Sequence, residues 1–184
     1  MSGRTASDQL VEACSVLVVD DNQYSRKVIR MLLTNLGIKK VHEASDGIAG
    51  LEAIRSVGPD MVILDWEMPL LNGAELVRIV RSPGVFPMPD IPIIMISGHG
   101  ERWRVVEAMR LGVNEFLVKP VSAKALRDRM LSILLAPRPT VQNGQYYGPE
   151  PRGRVADMVV APSAAAVDSA AASAEVPAPE AVAG

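Results

Sequence analysis

Four short apolar runs limit how this chain can fold: Val-Leu-Val-Val (16–19), Met-Val-Ile-Leu (61–64), Ile-Ile-Met-Ile (93–96) and Phe-Leu-Val (116–118). Each is strand-length, and the segments between them carry apolar residues at helical spacing. This alternation marks βαβ units, whose parallel strands are covered on both faces and so read as continuous apolar runs. After Asp21, residues Val28, Ile29, Leu32, Leu33 and Leu36 form a helical stripe that stops at Gly37. Val41-His42-Glu43-Ala44 reads as a second strand nearer the sheet edge. A second helix opens at Ser45-Asp46-Gly47 and ends at Gly58-Pro59, and a third opens at Asn72-Gly73. A fourth is expected from about Glu101 to Leu111, and a fifth from about Ser122 to Leu135.

Five strands and five helices therefore fit into residues 14–136, enough chain to bury a core. Residues 1–13 form a polar N-terminal extension without the apolar segment of a secretory signal. Beyond Ala136 the composition changes. Pro137, Pro139, Pro149 and Pro151 interrupt the chain, and from Ala161 onward it is Ala, Pro, Ser and Val with scattered acids. Such a composition buries too little apolar surface to offset its ordering entropy, so residues 137–184 are expected to be a mostly disordered tail. Within it, Tyr146-Tyr147-Gly148-Pro149 is either a docking element, packed on the domain or on a partner, or a linker with two incidental tyrosines.

The bulk properties narrow the function classes. The formal net charge of −2 gives no electrostatic case for nucleic acid. No apolar run approaches membrane-spanning length. The single cysteine, Cys14, excludes an internal disulfide and reads as a small buried hydrophobe. A cytoplasmic protein with neither membrane nor nucleic acid as partner is expected. His42 and His99 are too few and too separate for a zinc site.

What the strands end on is more informative. The fold expected is α/β: a flavodoxin-like, doubly wound, five-stranded parallel sheet in order 2-1-3-4-5 with five helices. In such a sheet the first, third, fourth and fifth strands would carry Asp20-Asp21, Asp65, Ser97 and Lys119 to one rim. Isolated buried carboxylates are costly, so acids at such strand ends are expected to be paired, metal-bound or at a rim open to solvent. Asp65 would be the nucleophile toward a phosphoryl group. Asp21 would bind Mg²⁺ directly, with Asp20 helping directly or through water and the Glu67 backbone carbonyl as a further oxygen ligand. Without metal, repulsion among the acids should raise at least one carboxyl pKa. Lys119 would pair with Asp65 at rest and with a phosphoryl oxygen after transfer, and Ser97 would donate its hydroxyl to another. Singly, these pieces have plainer readings: Asp20-Asp21-Asn22 as a helix cap, Lys119-Pro120 as a turn, Ser97-Gly98 as a loop. Trp66 is expected to cover the rim, and Trp103 to be either core or part of a partner surface.

Together, Val-Val-Asp-Asp (18–21), Ile-Leu-Asp-Trp-Glu-Met-Pro (63–69) with Asn-Gly (72–73), Met-Ile-Ser-Gly (95–98) and Val-Lys-Pro (118–120) resemble the receiver domain of bacterial response regulators over about residues 15–135. The resemblance implies that Asp65 accepts a phosphoryl group from a histidine kinase or histidine phosphotransfer protein, that Lys119-Pro120 is cis, and that Ser97 and Phe116 are the switch residues. It also implies that Glu67 and His99 flank the path of attacking water and tune phosphoryl lifetime, unless they are ordinary loop residues. The output would be a contact between the fourth helix, fifth strand and fifth helix and a downstream protein, or a second copy of the chain.

The leading reading is a phosphorylatable switch without other enzymatic activity. A phosphate sink or relay intermediate without output of its own is the alternative. An aspartyl-phosphate phosphatase is disfavoured, because its second acid would be an Asp two positions after the nucleophile, where this chain has Glu67. Stoichiometric labelling from a phosphohistidine donor, lost in Asp65→Asn, is expected. Turnover of a generic phosphomonoester would point to the phosphatase instead.

Overall fold

The computed structural model describes residues 5–152. In chain order the elements are α1 (Ala6–Ala13), β1 (Ser15–Val19), α2 (Gln23–Asn35), β2 (Lys40–Ala44), α3 (Gly47–Val57), β3 (Met61–Asp65), α4 (Gly73–Val80), β4 (Ile93–Ser97), α5 (Arg102–Arg110), β5 (Glu115–Val118), α6 (Ala123–Leu135), β6 (Thr140–Asn143) and β7 (Tyr146–Pro149). The main sheet is parallel throughout, in order β2-β1-β3-β4-β5, as the sequence pattern predicts.

The period of two along each strand divides the core. Leu17, Val19, Val62, Leu64, Ile93 and Met95 face α3, α4 and α5. Val16, Val18, Met61, Ile63, Ile94 and Ile96 face α1, α2 and α6. Both faces are dry, which explains why the central strands show no polar alternation. Short polar side chains start most of the helices by accepting otherwise unpaired N–H groups: Asn22 for α2, Asp46 for α3, Asn72 for α4 and Ser122 for α6.

The described residues contain six helices rather than five. The additional one, α1, lies in the polar extension 1–13. A capping box between Thr5 and Asp8 starts it, Val11 is its buried anchor, and Asp8 pairs with Arg127 of α6 at 2.6 Å. Eight residues are too short a stretch to establish a helical period, and the stabilising partner is more than a hundred positions away.

The segment after Ala136 also departs from a disordered tail as far as it is described. β6 and β7 pair as an antiparallel hairpin packed on the domain. Tyr146 is buried, and the Tyr147 hydroxyl donates to Asp90 at 2.7 Å. Arg138 donates to the Asn114 carbonyl at 2.6 Å, and Arg152 pairs with buried Glu115 at 2.8 Å. Beneath them the buried Arg81 guanidinium donates to the Gly112 and Pro89 carbonyls and to Asn114 Oδ1. Gly112 has φ +87°, and a Cβ there would lie 2.5 Å from the Tyr147 carbonyl oxygen, so the two backbones touch. The expected docking element thus packs on its own domain. The rest of the tail lies outside the described residues.

One close approach shapes the rim. Gly73 opens α4 directly against the end of β3, its N–H donating to the Trp66 carbonyl at 2.9 Å. A Cβ at Gly73 would sit 2.3 Å from the Asp65 carbonyl oxygen. Gly73→Ala is expected to destabilise the fold by about 1–3 kcal/mol through this overlap, measured by urea denaturation.

Candidate functional site

The carboxyl ends of β1, β3, β4 and β5 come together at the point where the chain reverses the direction in which it builds the sheet. Asp20 follows β1, Asp21 is next to it, and Asp65 is the last residue of β3. Their carboxylate oxygens lie within 4.8 Å of one another. Lys119, after β5, reaches across with its Nζ 3.0 Å from Asp20 Oδ2 and 3.0 Å from Asp65 Oδ1. Burial works against the Lys119 charge, but the two carboxylates more than offset it and hold the ammonium above the usual lysine value. The Lys119-Pro120 peptide is cis.

Asp65 is 6 % exposed, and its carboxyl is pushed up to about 6. The principal cause is burial, with repulsion from Asp20 and Asp21 adding to it and Lys119 opposing both. Crowding among the acids, the reason the sequence suggested, is thus secondary to desolvation. Asp20 is also buried, and its charge is heavily hydrogen-bonded. Its carboxylate accepts from the Ser25 hydroxyl at 2.5 Å and the Asn22 N–H at 2.8 Å. Arg26 donates to the main-chain carbonyls of Asp20 and Asp21 at 2.7 and 3.1 Å, fixing the acidic loop from behind. Sequence reasoning passed over Ser25 and Arg26. Their signal was weak: polar residues in the first turn of α2, placed to face back toward β1.

Ser97 ends β4 fully buried, and its hydroxyl accepts from the His99 N–H at 3.0 Å. Its backbone carbonyl takes the Lys119 N–H at 2.8 Å, which ties the last two strands together at the rim. Phe116 is half-buried beneath α5 and meets Trp66 edge-on, with ring centroids 6.5 Å apart. Trp66 therefore lies between the acidic rim and the aromatic of β5. Trp103 is not core: it is 61 % exposed.

Glu67 and His99, singled out separately in the sequence, are in contact. Glu67 Oε1 lies 3.3 Å from His99 Nε2, and His99 Nδ1 lies 3.6 Å from Glu101. The Glu67 carboxylate also accepts from Arg104 at 3.0 Å. Arg104 stacks over both Trp66 and Trp103, at 5.6 and 5.0 Å from the ring centroids. Arg104 was not anticipated, since only the fold shows that a helix residue reaches back to the loop after β3. His42 lies on β2 at the sheet edge, far along the order from this group.

Chemically, three clustered carboxylates suit a hard divalent cation with oxygen ligands, and magnesium fits this donor set. The ammonium that bridges Asp20 and Asp65 suits an incoming anion.

Asp65 also links protonation to folding. A carboxyl raised from 3.8 to about 6 contributes stability that is complete below 3.8 and lost as pH rises through about 6. With chelator present, Asp65→Asn is therefore expected to be more stable than the parent, the gap opening between about pH 4 and about pH 7. Magnesium should stabilise the parent more than the variant. Urea denaturation over a pH series measures both, and a gap independent of pH would remove burial of Asp65 as the cause.

Comparison with known proteins agrees with this geometry. Residues 16–131 match the family model for the response regulator receiver domain. The chemotaxis protein CheY1 of Helicobacter pylori is 38% identical over 120 residues, which cover 65% of this chain and 95% of that protein. The chemotaxis protein CheY of Pseudomonas aeruginosa is 34% identical over 118 residues, covering 64% and 94%. The solved signal receiver domain of NarL from Mycobacterium tuberculosis superposes with a TM-score of 0.59 at 32% identity, over 68% of this chain and 98% of that one. Both α1 and the β6–β7 hairpin fall outside the matched span. Since that span exceeds half of the sequence and contains the whole rim, the chain belongs to the response regulator receiver domain family.

Proposed function

We propose that this chain is a phosphorylatable switch of two-component signalling, with Asp65 as phosphoacceptor. The observation that carries the reading is the buried Asp65 carboxylate, with Lys119 at 3.0 Å and two further aspartates beside it. An Asp65 oxygen attacks the phosphorus of a phosphohistidine on a histidine kinase or phosphotransfer protein. The P–N bond breaks, and the donor imidazole leaves with the bonding pair. Asp65 must be ionised to attack, and a value of about 6 leaves it largely so near neutral pH. Asp20 and Asp21, with Asp65 and the Glu67 backbone carbonyl, would hold magnesium. When bound, magnesium supplies the positive charge that lets the phosphoryl oxygens approach three acids. Lys119 shifts its second hydrogen bond from Asp65 to a phosphoryl oxygen, and the Ser97 hydroxyl turns from the His99 N–H to donate to another.

The response follows from charge. Phosphorylation adds roughly −1.5 to −2 charges at the rim. Movement of Ser97 would be felt by Phe116 through Trp66, remodelling α5, β5 and α6, the surface offered to a downstream protein or a second copy. The relatives named as chemotaxis proteins support a signalling role. Glu67 and His99, two residues past Asp65 and Ser97 and in contact with each other, would tune hydrolysis of the acyl phosphate. The chain turns over no other substrate in this reading, and its place is the cytoplasm.

The test is label uptake by the full chain from acetyl phosphate or a phosphohistidine protein with magnesium, followed by intact mass and Trp66 fluorescence in a Trp103→Phe background. One phosphoryl group per chain is expected. None is expected in Asp65→Asn, and phosphorylation should slow by roughly 10²-fold in Lys119→Ala. Glu67→Gln and His99→Ala should change the decay rate while leaving stoichiometry intact. Undiminished labelling of Asp65→Asn would refute the assignment.

A further inference from the structure

Glu67 adds a further acid to the neighbourhood of the phosphoacceptor. Two peptide units separate it from Asp65, so the two α-carbons are at most about 7 Å apart. That is within the Debye length of about 8 Å at physiological ionic strength. The Glu67 carboxylate meets the His99 ring at 3.3 Å, and the His99 N–H in turn donates to the Ser97 hydroxyl at 3.0 Å. A phosphoryl group arriving at Asp65 would therefore feel the charge of Glu67 as well as those of Asp20 and Asp21. The cations behind the aspartates are already committed. Lys119 is shared by Asp20 and Asp65, and Arg26 holds the main-chain carbonyls of Asp20 and Asp21 and lies 3.7 Å from Glu43.

Arg104 supplies the counterion for Glu67. Its Nη1 donates to Glu67 Oε1 at 3.0 Å. His99 adds charge only when protonated, whereas a guanidinium keeps its charge. The pair is unequal in exposure: the Arg104 side chain is 17 % exposed and that of Glu67 48 %. The rings of Trp66 and Trp103 cover the guanidinium, with centroids 5.6 and 5.0 Å from its carbon. A local partner is passed over. Glu101, three residues earlier, stands 3.8 Å from Arg104 Nε, and that Nε is buried without a hydrogen-bond partner. A buried donor left unmet beside an available carboxylate shows that the two rings, and not the local ion pair, set where the guanidinium points.

We propose that Arg104 is a positioning residue for phosphoryl transfer: seated between Trp66 and Trp103, it neutralises Glu67 so that an anionic phosphodonor can approach Asp65. The inference rests on the phosphoacceptor reading and deepens it. Arg104 gives and takes no atom in the reaction and acts on the approach of the donor through charge alone.

Initial rates of label uptake by the full chain from acetyl phosphate, at fixed magnesium and at low and high potassium chloride, test it. Arg104→Gln is expected to slow uptake roughly threefold at low salt. The gap should close as salt screens Glu67. Arg104→Lys keeps the charge without the planar stack and should retain most of the rate. Glu67→Gln added to Arg104→Gln removes the uncompensated carboxylate and should recover most of the loss, and Glu67→Gln alone should quicken uptake by a similar factor. Urea denaturation confirms that each variant is folded. Uptake by Arg104→Gln at the parent's rate overturns the proposal. So does equal slowing of Arg104→Gln and Arg104→Lys that salt leaves unchanged, since that result would give Arg104 a packing role only. In both cases label on the parent leaves the phosphoacceptor reading standing, whereas no label on the parent overturns both.

Discussion

One ammonium group shared by two buried carboxylates organises this protein. Lys119 holds Asp20 and Asp65 at 3.0 Å each, and those acids end β1 and β3 while the lysine follows β5. Without that cation, two nearly inaccessible carboxylates would lie close together in a medium that penalises each of them. With it, the rim is a charged centre whose balance any added cation or anion must disturb. Asp65 is the less well compensated acid. Asp20 accepts from Ser25, Asn22 and Lys119, whereas Asp65 is raised chiefly by burial. The acid with the poorest compensation is the one that the proposed function makes the phosphoacceptor.

Around this centre the fold supplies rigidity on one side and a layered set of weaker contacts on the other. Asp20 and Asp21 are tied from behind by Arg26, and Gly73 packs α4 against the end of β3 with no room for a side chain. On the opposite side, Arg104 bridges Glu67 and the two tryptophans, and Trp66 meets Phe116 edge-on. These contacts are partly exposed on the Glu67 side, and ion pairs and cation–π contacts near the surface are each worth about 1 kcal/mol. They can rearrange without disturbing the core beneath them. A change of charge at Asp65 would therefore be transmitted toward α5 more readily than toward α2.

The elements outside the family match reinforce the base of the molecule rather than the rim. Asp8 of α1 ties to Arg127 of α6. The hairpin ties to Glu115 at the start of β5, to Asn114, and to the loop holding Asp90. Glu115 is buried with Arg129, Arg152 and Ser132 around it. β5 is thereby pinned at Glu115, next to Phe116, while beyond its carboxyl end stands Lys119.

Strand and helix order, the parallel sheet and the gathering of Asp20, Asp21, Asp65 and Lys119 at one rim were legible from the residues alone. Each rests on local pattern: apolar runs of strand length, caps such as Asn22 and Asn72, and right-handed crossovers that leave few topologies open. What could not be read depends on partners distant in sequence. α1 and the hairpin have weak local pattern and are held by distant partners such as Arg127, Asp90 and Glu115. The contact of Glu67 with His99 and Arg104, the exposure of Trp103, and the predominance of burial over repulsion at Asp65 arise the same way. Sequence determined which residues would reach the rim, because strand ends are set by local periodicity. Tertiary structure decided how each is charged and what it touches, because desolvation and hydrogen bonding are properties of the assembled surroundings.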